Sequence, residues 1–372
     1  MRILIAPDKF KGTLTARQAG EAMAAGVREV FPDAVADIVP VADGGEGTLE
    51  GALAAGGEER TVAVQGPLGE EVEARWVLTG KTAVIETAEA SGLRYVEPRV
   101  QAALGAHSYG SGQLIKAALD AGAEEIICGI GGSAMTDGGS GALRALGMRV
   151  MNTDGARARL GGSALSTALR IDDTGLDSRL KDVHIRIAAD VTNPLYGPDG
   201  AAHVFGAQKG ADAAARSMLD DGLRHWAELL HQATGVDVQI PGAGAAGGFP
   251  ASFLACTSAT LESGFDLVAE LVQFDKALEG VDLLVSGEGS MDEQSRFGKA
   301  PLSAADRAQA RGIDSVLAVG RSTLSLEDVA GHGVKAMAAA VDCAPSVDEA
   351  IARAAHYLQQ ATAVALDSYD KG

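Results

Sequence analysis

Short apolar runs alternate with amphipathic segments along most of this chain. Residues 2–6 (RILIA) are apolar almost without interruption, as in a buried strand, and residues 15–31 carry apolar side chains at helical spacing. Thr15 is a good N-cap for that helix, and Pro32 follows its end. After residue 280 the alternation returns in DLLVS (282–286) and the segments that follow it. The pattern predicts an α/β protein built on parallel strands.

The middle of the chain has a different pattern. Residues 61–87 alternate apolar and polar positions around Gly-Pro and Thr-Gly turns, which is typical of an antiparallel meander. Parallel strands join a common sheet, and the predicted strands at residues 2–6 and 37–42 have no other obvious partners than those near the end of the chain. We therefore expect residues 1–60 and 280–372 to form one discontinuous domain, with residues 61–279 inserted as a second α/β domain.

Charge and composition exclude several classes of protein. The net charge of −19 argues against nucleic-acid binding and against anionic membrane surfaces, because both need a basic footprint. No apolar run approaches the ~20 residues of a membrane span. The cysteines lie far apart without C-x-x-C spacing, which fits free thiols in a reducing cytoplasm, and we expect a cytoplasmic protein. The 48 glycines, about twice the number expected from a usage of ~7%, indicate tight turns and sites lined by backbone.

The densest group of charged residues lies in residues 286–301, where the DLLVS run ends. This segment interleaves glycines with Glu288, Asp292, Glu293, Arg296 and Lys299. Glycine lets the backbone approach a ligand closely, and the charged groups can bind metal and phosphate. The segment therefore predicts a site for a small, anionic, phosphorylated ligand.

Each predicted strand of the discontinuous domain is followed by a polar loop. In a parallel sheet the carboxyl ends of the strands meet at one edge, where ligands bind, so these loops should converge on one crevice. The candidate phosphate and substrate ligands in the loops are Asp8, Lys9, Asp43, Gly44, Gly45, Glu46 and Arg321, with Lys11, Glu288 and Asp292 beside them.

The inserted domain offers two loops of the same kind. Residues 129–141 follow a predicted strand and lead into a helix, so their backbone N–H groups and the helix dipole are expected to cradle phosphate. The predicted strand 184–190 ends at Asp190. Further candidate ligands are Gly131, Gly132, Ser133, Asp137, Thr192 and Asn193. We expect both sets of loops to face each other across a cleft between the domains.

Several familiar motifs are missing from the sequence. Gly298-Lys299 is followed by alanine and lacks the earlier glycine, which disfavours a P-loop NTPase. A formal G-x-G-x-x-G within residues 242–247 does not follow a strand, so an NAD-dependent oxidoreductase rests on one weak match. There is no zinc-binding histidine spacing and no G-x-S-x-G elbow. The remaining charged residues suit Mg²⁺ chemistry, with carboxylates for the cation and lysines for phosphate oxygens.

A series of motifs, in a fixed order over essentially the whole chain, resembles a known family. The motifs are APDKFKGTLTA, PVADGGEGT, IETAEASGL, SYGSGQLI, GGSAMTDGGSGALRALG, AADVTNPLYGPDGAAHVFGAQKGA, PGAGAAGG and SGEGSMDEQSRFGKAP. Together they resemble the bacterial glycerate kinase family. The resemblance implies a flavodoxin-like domain paired with a second α/β domain similar to restriction endonucleases.

The resemblance also implies an activity, namely phosphorylation of D-glycerate to 2-phosphoglycerate with ATP and Mg²⁺ as cofactors. For such a reaction, Lys11 and Lys299 are candidates for neutralising phosphate or the substrate carboxylate. Asp190 or Asp292 would accept the proton of the hydroxyl group. The other aspartate, or Glu288, would bind Mg²⁺ directly or through water.

The chain departs from the family pattern near two candidate residues. Lys9 stands where many members have serine, which favours Lys11 over Lys9 for catalysis, and Met135-Thr136 replaces the usual Thr-Asn before Asp137. The sequence leaves open a kinase that forms 3-phosphoglycerate or acts on another small hydroxy acid. A non-catalytic sugar-acid-binding module would need a DNA-binding or signalling element, and none is visible. The nucleotide preference and the oligomeric state, a homodimer included, also stay open.

Overall fold

The computed structural model describes residues 1–45, 47–152, 154–293, 295 and 299–371. The chain divides into two compact units. The first unit contains Met1–Asp43, Glu50–Ala55 and Phe265–Gly372, and the second contains Gly44–Leu49 and Gly56–Gly264. The second unit ends at residue 264, whereas the sequence predicts that the inserted domain ends at residue 279, and residues 44–49 belong to the second unit. The domain boundaries stay a prediction.

Strands and helices alternate along the chain. The strands are β1 (Arg2–Pro7), β2 (Val35–Ile38), β3 (Glu58–Gln65), β4 (Glu71–Thr79), β5 (Thr82–Glu86), β6 (Glu125–Gly129), β7 (Arg149–Asn152), β8 (Ala168–Asp172), β9 (His184–Ala188), β10 (Thr260–Glu262), β11 (Leu283–Gly287), β12 (Ser290–Met291), β13 (Asp314–Val319), β14 (Arg321–Ser322) and β15 (Val334–Ala339). The α-helices are α1 (Ala16–Val30), α2 (Thr48–Ala54), α3 (Thr87–Ser91), α4 (Val100–Gly105), α5 (Tyr109–Asp120), α6 (Ser140–Ala145), α7 (Ala201–Phe205), α8 (Ala213–Thr234), α9 (Ala245–Cys256), α10 (Gly264–Leu271), α11 (Phe274–Ala277), α12 (Ala300–Gln309), α13 (Leu326–Val329), α14 (Ala340–Cys343), α15 (Val347–Ala352) and α16 (Ala354–Asp370). Within the described residues, none of these helices is long and apolar enough to cross a membrane.

The first unit is built on a five-stranded parallel sheet with the order β15-β13-β11-β1-β2. Its central strands are buried on both faces, which explains their continuous apolar runs. Ile3 and Ile5 pack against α1 and α16, whereas Leu4 and Ala6 pack against α10, α11 and α12. The expected α/β class with parallel strands is therefore confirmed.

The first helix is confirmed, and the second strand is shorter than predicted. Thr15 forms a capping box with Gln18 at the start of α1. The apolar run 37–42 predicts a strand, but β2 ends at Ile38. The backbone stays bonded to β1 beyond that point, because the Val39 and Val41 N–H groups donate to the Ile5 and Pro7 carbonyls at 2.9 and 3.0 Å. Pro40 lies between them, where its missing N–H removes no bond to β1.

The second unit contains a six-stranded mixed sheet with the order β10-β9-β6-β5-β4-β3. Strands β5, β6, β9 and β10 are parallel, and β3, β4 and β5 form the predicted antiparallel meander. Strands β7 and β8 form a separate antiparallel pair. The carboxyl ends of the four parallel strands lie at one edge of the sheet and carry the loops that the sequence singles out.

Candidate functional site

Two loops leave the sheet of the first unit side by side, at the carboxyl ends of the adjacent strands β1 and β11. The Asp8 N–H donates to the Gly287 carbonyl at 2.9 Å, and the Gly320 N–H donates to the Glu288 carbonyl at 2.9 Å. These bonds join the loops that follow β1, β11 and β13. The order of the sheet reverses between β1 and β11, and open α/β sheets bind their ligands at such a reversal.

Asp8 is a buried carboxylate at this edge, only 4% exposed. Its Oδ1 accepts the Lys9 N–H at 2.6 Å. Burial is the main cause that raises the pKa of Asp8 to about 7, and the charges of Asp43 and Glu288 act in the same direction, against Lys9. Several carboxylates therefore share a confined region, and an added cation would relieve their repulsion.

Lys299 is held beside two carboxylates of the next loop. Its Nζ lies 3.2 Å from Oε2 of the buried Glu288 and 3.9 Å from Oδ1 of Asp292. Ser295 links the same groups, because its Oγ donates to Glu288 Oε1 at 2.6 Å and accepts the Asp292 N–H at 3.1 Å. Burial raises the pKa of Glu288, whereas Ser295 and Lys299 lower it. Lys299 is also the N-cap residue of α12, where a cation opposes the helix dipole and Glu288 offsets that repulsion.

The other predicted residues of the first unit are more exposed. Lys9 is half-buried and Lys11 is exposed, and a Cβ at Gly289 would lie 3.3 Å from the Lys11 backbone nitrogen. Arg321 is exposed and donates through Nε to Ser290 Oγ at 3.0 Å. Glu46, another predicted ligand, lies outside the described residues.

The carboxylates at this edge fit a hard cation only as a partial set of ligands. Among the described residues, no group of three or more His, Cys, Asp or Glu side chains is arranged to hold a metal ion. Mg²⁺ in phosphoryl-transfer sites commonly uses one or two carboxylates and completes its shell with water and phosphate oxygens. Glu288 and Asp292 are compatible with that kind of site, since both offer oxygen ligands on one loop.

In the second unit, residues 44–45 pack on the carboxyl ends of β6 and β9. Gly44 has a φ of +75°, and a Cβ there would lie 2.4 Å from the Ala188 Cβ, so only glycine fits. A Cβ at Gly129 would lie 3.0 Å from the Gly44 carbonyl oxygen. Asp190 is exposed just beyond β9, and its Oδ1 accepts the Gly264 N–H at 2.9 Å. The structure thus brings Gly44, Gly45 and the ends of two parallel strands together.

In the loop before α6, the N–H groups at the start of the helix already have an acceptor within the protein. Asp137 is fully buried and its carboxylate accepts the N–H groups of Gly139 and Gly141 at 3.2 and 3.1 Å. It also accepts the N–H and the hydroxyl of Ser108, both at 2.9 Å. A side chain of the protein therefore already satisfies these N–H groups at the start of α6, and phosphate binding by this loop, with Asp137 as a ligand, stays a prediction.

The remaining candidates of the second unit have different surroundings. Gly131 and Gly132 are half-buried and Ser133 is buried. Thr192 is exposed, and the Asn193 side chain donates through Nδ2 to the Asp199 carbonyl at 2.8 Å. The prediction that these loops share one cleft with those of the first unit stays a prediction.

The sequence did not reveal the roles of three buried polar residues that lie in these loops or contact them. Ser295 ties Glu288 to the Asp292 backbone, as described above. Glu86, at the end of β5, accepts the Gly47 and Leu49 N–H groups through Oε1 at 2.8 and 3.0 Å. Lys209 is 3% exposed and contacts the loop before α6. Glu86 lies in the motif IETAEASGL and Lys209 in AADVTNPLYGPDGAAHVFGAQKGA. For Glu86, the available signal was a charged side chain at the end of an apolar run.

We expect Asp8→Asn to stabilise the protein at about pH 8 and to change its stability little at about pH 4. The pKa of Asp8 is about 7 in the folded protein and about 3.9 in the unfolded protein. Between about pH 4 and pH 7 the folded protein therefore keeps a proton that the unfolded protein has released. The stability that Asp8 provides when protonated is therefore present below about pH 4 and is lost as the pH rises through 7. The amide keeps the acceptor oxygen for the Lys9 N–H and avoids a buried charge.

The expected gain at about pH 8 is on the order of 2–4 kcal/mol, from ~1.4 kcal/mol per pKa unit. Urea unfolding at both pH values measures it, with Asp33→Asn on the exposed surface as the matched control. A gain of equal size at both pH values, or none at pH 8, would contradict the assignment.

Comparison with known proteins places these motifs in a family. The model of the glycerate kinase family matches residues 3–369. The glycerate 2-kinase of Escherichia coli K12 is 45% identical over 354 residues, which cover 94% of this chain and 93% of that protein. The glycerate kinase of Bacillus subtilis 168 is 43% identical over 364 residues, 97% and 95% of the two chains. A crystal structure from Salmonella typhimurium LT2, provisionally named glycerate kinase 2, matches with a TM-score of 0.85 and 39% identity over 100% of this chain and 99% of that one.

Proposed function

The chain belongs to the glycerate kinase family, and we propose on this basis that it transfers the γ-phosphoryl group of ATP to the 2-hydroxyl of D-glycerate. The products are 2-phosphoglycerate and ADP. The structural observation that carries the proposal is the position of Lys299 beside Glu288 and Asp292, at the carboxyl edge of a parallel sheet. The choice of the 2-hydroxyl is supported by the 45% identity to the Escherichia coli protein named glycerate 2-kinase.

Phosphoryl transfer requires mainly positioning and neutralisation of charge. Lys299 is suited to neutralisation because its ammonium group is held by Glu288 and its side chain is still 25% exposed. Lys11 is exposed in the loop after β1 and would supply a second cation for phosphate or for the substrate carboxylate. Asp8, Lys9, Asp43 and Arg321 belong to the same converging loops and complete the proposed set for the first unit.

Mg²⁺ would be held by the carboxylates of the loop after β11. Asp292 is the better candidate for a direct ligand, because its side chain is 42% exposed. Both Glu288 oxygens already accept hydrogen bonds, so Glu288 would act through a water molecule. When bound, the ion would neutralise charge on the phosphate oxygens. Lys299 and Ser295 would keep the two carboxylates in place.

Two aspartates are candidates for the group that accepts the hydroxyl proton. Asp190 is exposed, and the Gly264 N–H, which donates to its Oδ1 at 2.9 Å, orients the carboxylate. Asp292 is the alternative, but its carboxylate lies 3.9 Å from the Lys299 ammonium group and is already the proposed ligand of Mg²⁺. We therefore favour Asp190, with Gly44, Gly45, Gly131, Gly132, Ser133, Thr192 and Asn193 as the proposed binding residues of the second unit.

The first unit is proposed to be a flavodoxin-like domain. Numbered within that unit, its strands have the order 2-1-3-4-5, and this proposal is supported by the agreement with the flavodoxin-like order. The two compact units are the proposed domains, and the similarity of the second to restriction endonucleases stays a prediction.

The reaction can be tested with the purified protein, D-glycerate, ATP and MgCl₂. We expect release of ADP that requires D-glycerate and stops when EDTA removes the metal. Phosphorus NMR against authentic standards should identify the product as 2-phosphoglycerate. A product that matches 3-phosphoglycerate would correct the regiochemistry, turnover only with another hydroxy acid would correct the substrate, and binding without ADP release would favour a non-catalytic module.

A further inference from the structure

A buried lysine lies behind the glycine-rich loop of the second unit. The Lys209 Nζ donates to Ser133 Oγ at 3.3 Å and to the Met135 carbonyl at 2.6 Å. An ammonium group carries three donors, so one N–H has no protein acceptor among the described residues. Burial lowers the pKa of Lys209 to about 7, and the charge of Asp137 opposes that shift. Burying a cation costs free energy. Both hydrogen bonds of Lys209 go to the loop before α6.

The same loop has backbone donors that nothing in the described chain satisfies. The N–H groups of Gly131, Gly132 and Ser133 have no hydrogen-bond acceptor among the described residues. Gly131 and Gly132 are half-buried, so a ligand can reach them. The loop follows β6 at the carboxyl edge of the parallel strands, beside residues 44–45. Successive free N–H groups form a concave surface that binds anions.

The loop is also fixed from behind. Gly247 has a φ of +70°, and a Cβ there would lie 2.0 Å from the Met135 carbonyl oxygen that accepts the lysine. Trp226 Nε1 donates to the Gly138 carbonyl at 3.2 Å. Met135 and Gly138 are therefore held in place by packing. Lys209 acts on the Gly131–Ser133 end of the loop through its hydrogen bond to Ser133 Oγ.

We propose that Lys209 is the positioning residue of an anion subsite formed by the Gly131–Ser133 N–H groups. Its ammonium group holds the Ser133 hydroxyl oxygen, so that the hydroxyl proton points away from Lys209 and can donate to an anion. When protonated, it also supplies positive charge behind N–H groups that would otherwise act alone. The shared chemistry of the ligand is a carboxylate or phosphate oxygen, from D-glycerate or from the nucleotide. The inference rests on the proposed function and adds a residue to its substrate site.

The test compares Lys209→Met, Ser133→Ala and the double variant with the unaltered protein. Methionine keeps most of the buried volume and removes the charge. Lys116→Met is the control, because Lys116 lies on α5 of the same unit and its Nζ donates to the exposed Asp120. Calorimetric titrations with D-glycerate, with ATP and with inorganic phosphate give dissociation constants, and steady-state assays give KM and kcat separately.

We expect Lys209→Met to weaken binding of one of the two substrates at least ~10-fold, with kcat changed less than ~3-fold. A selective effect on D-glycerate assigns the carboxylate to the subsite, and a selective effect on ATP assigns a phosphate. Because Lys209 acts through Ser133, Ser133→Ala should weaken the same ligand, and the double variant should bind it about as weakly as Lys209→Met alone.

Unchanged binding of all three ligands by folded Lys209→Met would overturn the inference. So would a loss of affinity in the double variant equal to the product of the single losses. If Lys209→Met fails to fold, unchanged binding by Ser133→Ala overturns it. Unaltered protein that binds D-glycerate and ATP without turnover would refute the proposed function, and the titrations would still decide the role of Lys209.

Discussion

Lys299→Ala should lower kcat/KM for D-glycerate phosphorylation by at least ~100-fold. The lost ammonium group would otherwise neutralise charge that develops in phosphoryl transfer, and each ~1.4 kcal/mol of barrier changes the rate tenfold. The substitution also leaves the buried Glu288 without its cationic partner, although the Ser295 hydroxyl still donates to it. We therefore expect a stability loss on the order of 1–3 kcal/mol, the cost of an unpaired buried polar group.

A second substitution separates activity from stability. Adding Glu288→Gln to Lys299→Ala removes the unpaired charge, so the melting temperature should recover while kcat/KM stays low. Lys335→Ala is the matched control, because Lys335 is exposed and lies 3.7 Å from Asp314. It should change the rate less than ~2-fold and the stability within about ±0.5 kcal/mol. Near-normal kcat/KM in Lys299→Ala would move the neutralising role to Lys11.

Local signals in the sequence predicted much of the fold. The Thr15 cap, the alternation over residues 61–87 and the apolar runs at β1 and β11 each depend on neighbours in the chain. The pairing of β1 with β11 is long-range, but two buried parallel strands have few other partners. The rule that ligands lie at carboxyl ends then predicts that Asp8 and Glu288 fall on adjacent loops, and they do.

Other features depend on which buried donor meets which acceptor, and no local pattern encodes that. The glycine-rich loop around Asp137 predicts a phosphate ligand. In the structure, the Asp137 carboxylate accepts N–H groups at the start of α6 and from Ser108. Lys209 lies more than 70 residues from the loop it contacts, so its motif alone does not show its target. The first residue of the second unit, Gly44, directly follows the last residue of a first-unit segment, and composition does not mark that change.

Asp190→Asn should reduce kcat by about 10³-fold while leaving the fold intact. A positioned general base contributes ~10²–10⁴ to the rate, and asparagine cannot take the proton from the hydroxyl group. The amide retains an oxygen that can accept the Gly264 N–H, and the side chain is exposed, so stability should change by no more than about 0.5 kcal/mol. KM for ATP should change little, because the substitution removes a group that acts on the acceptor.

The matched control for this variant is Asp182→Asn, which removes an exposed carboxylate just before the other end of β9 and should leave kcat within ~2-fold. Asp292→Asn completes the comparison, since its loss should depend on Mg²⁺ concentration if Asp292 is a metal ligand and not the base. Excess MgCl₂ should therefore restore part of the activity of Asp292→Asn and none of that of Asp190→Asn. Full activity in Asp190→Asn, together with a loss in Asp292→Asn that MgCl₂ cannot restore, would instead assign the proton to Asp292.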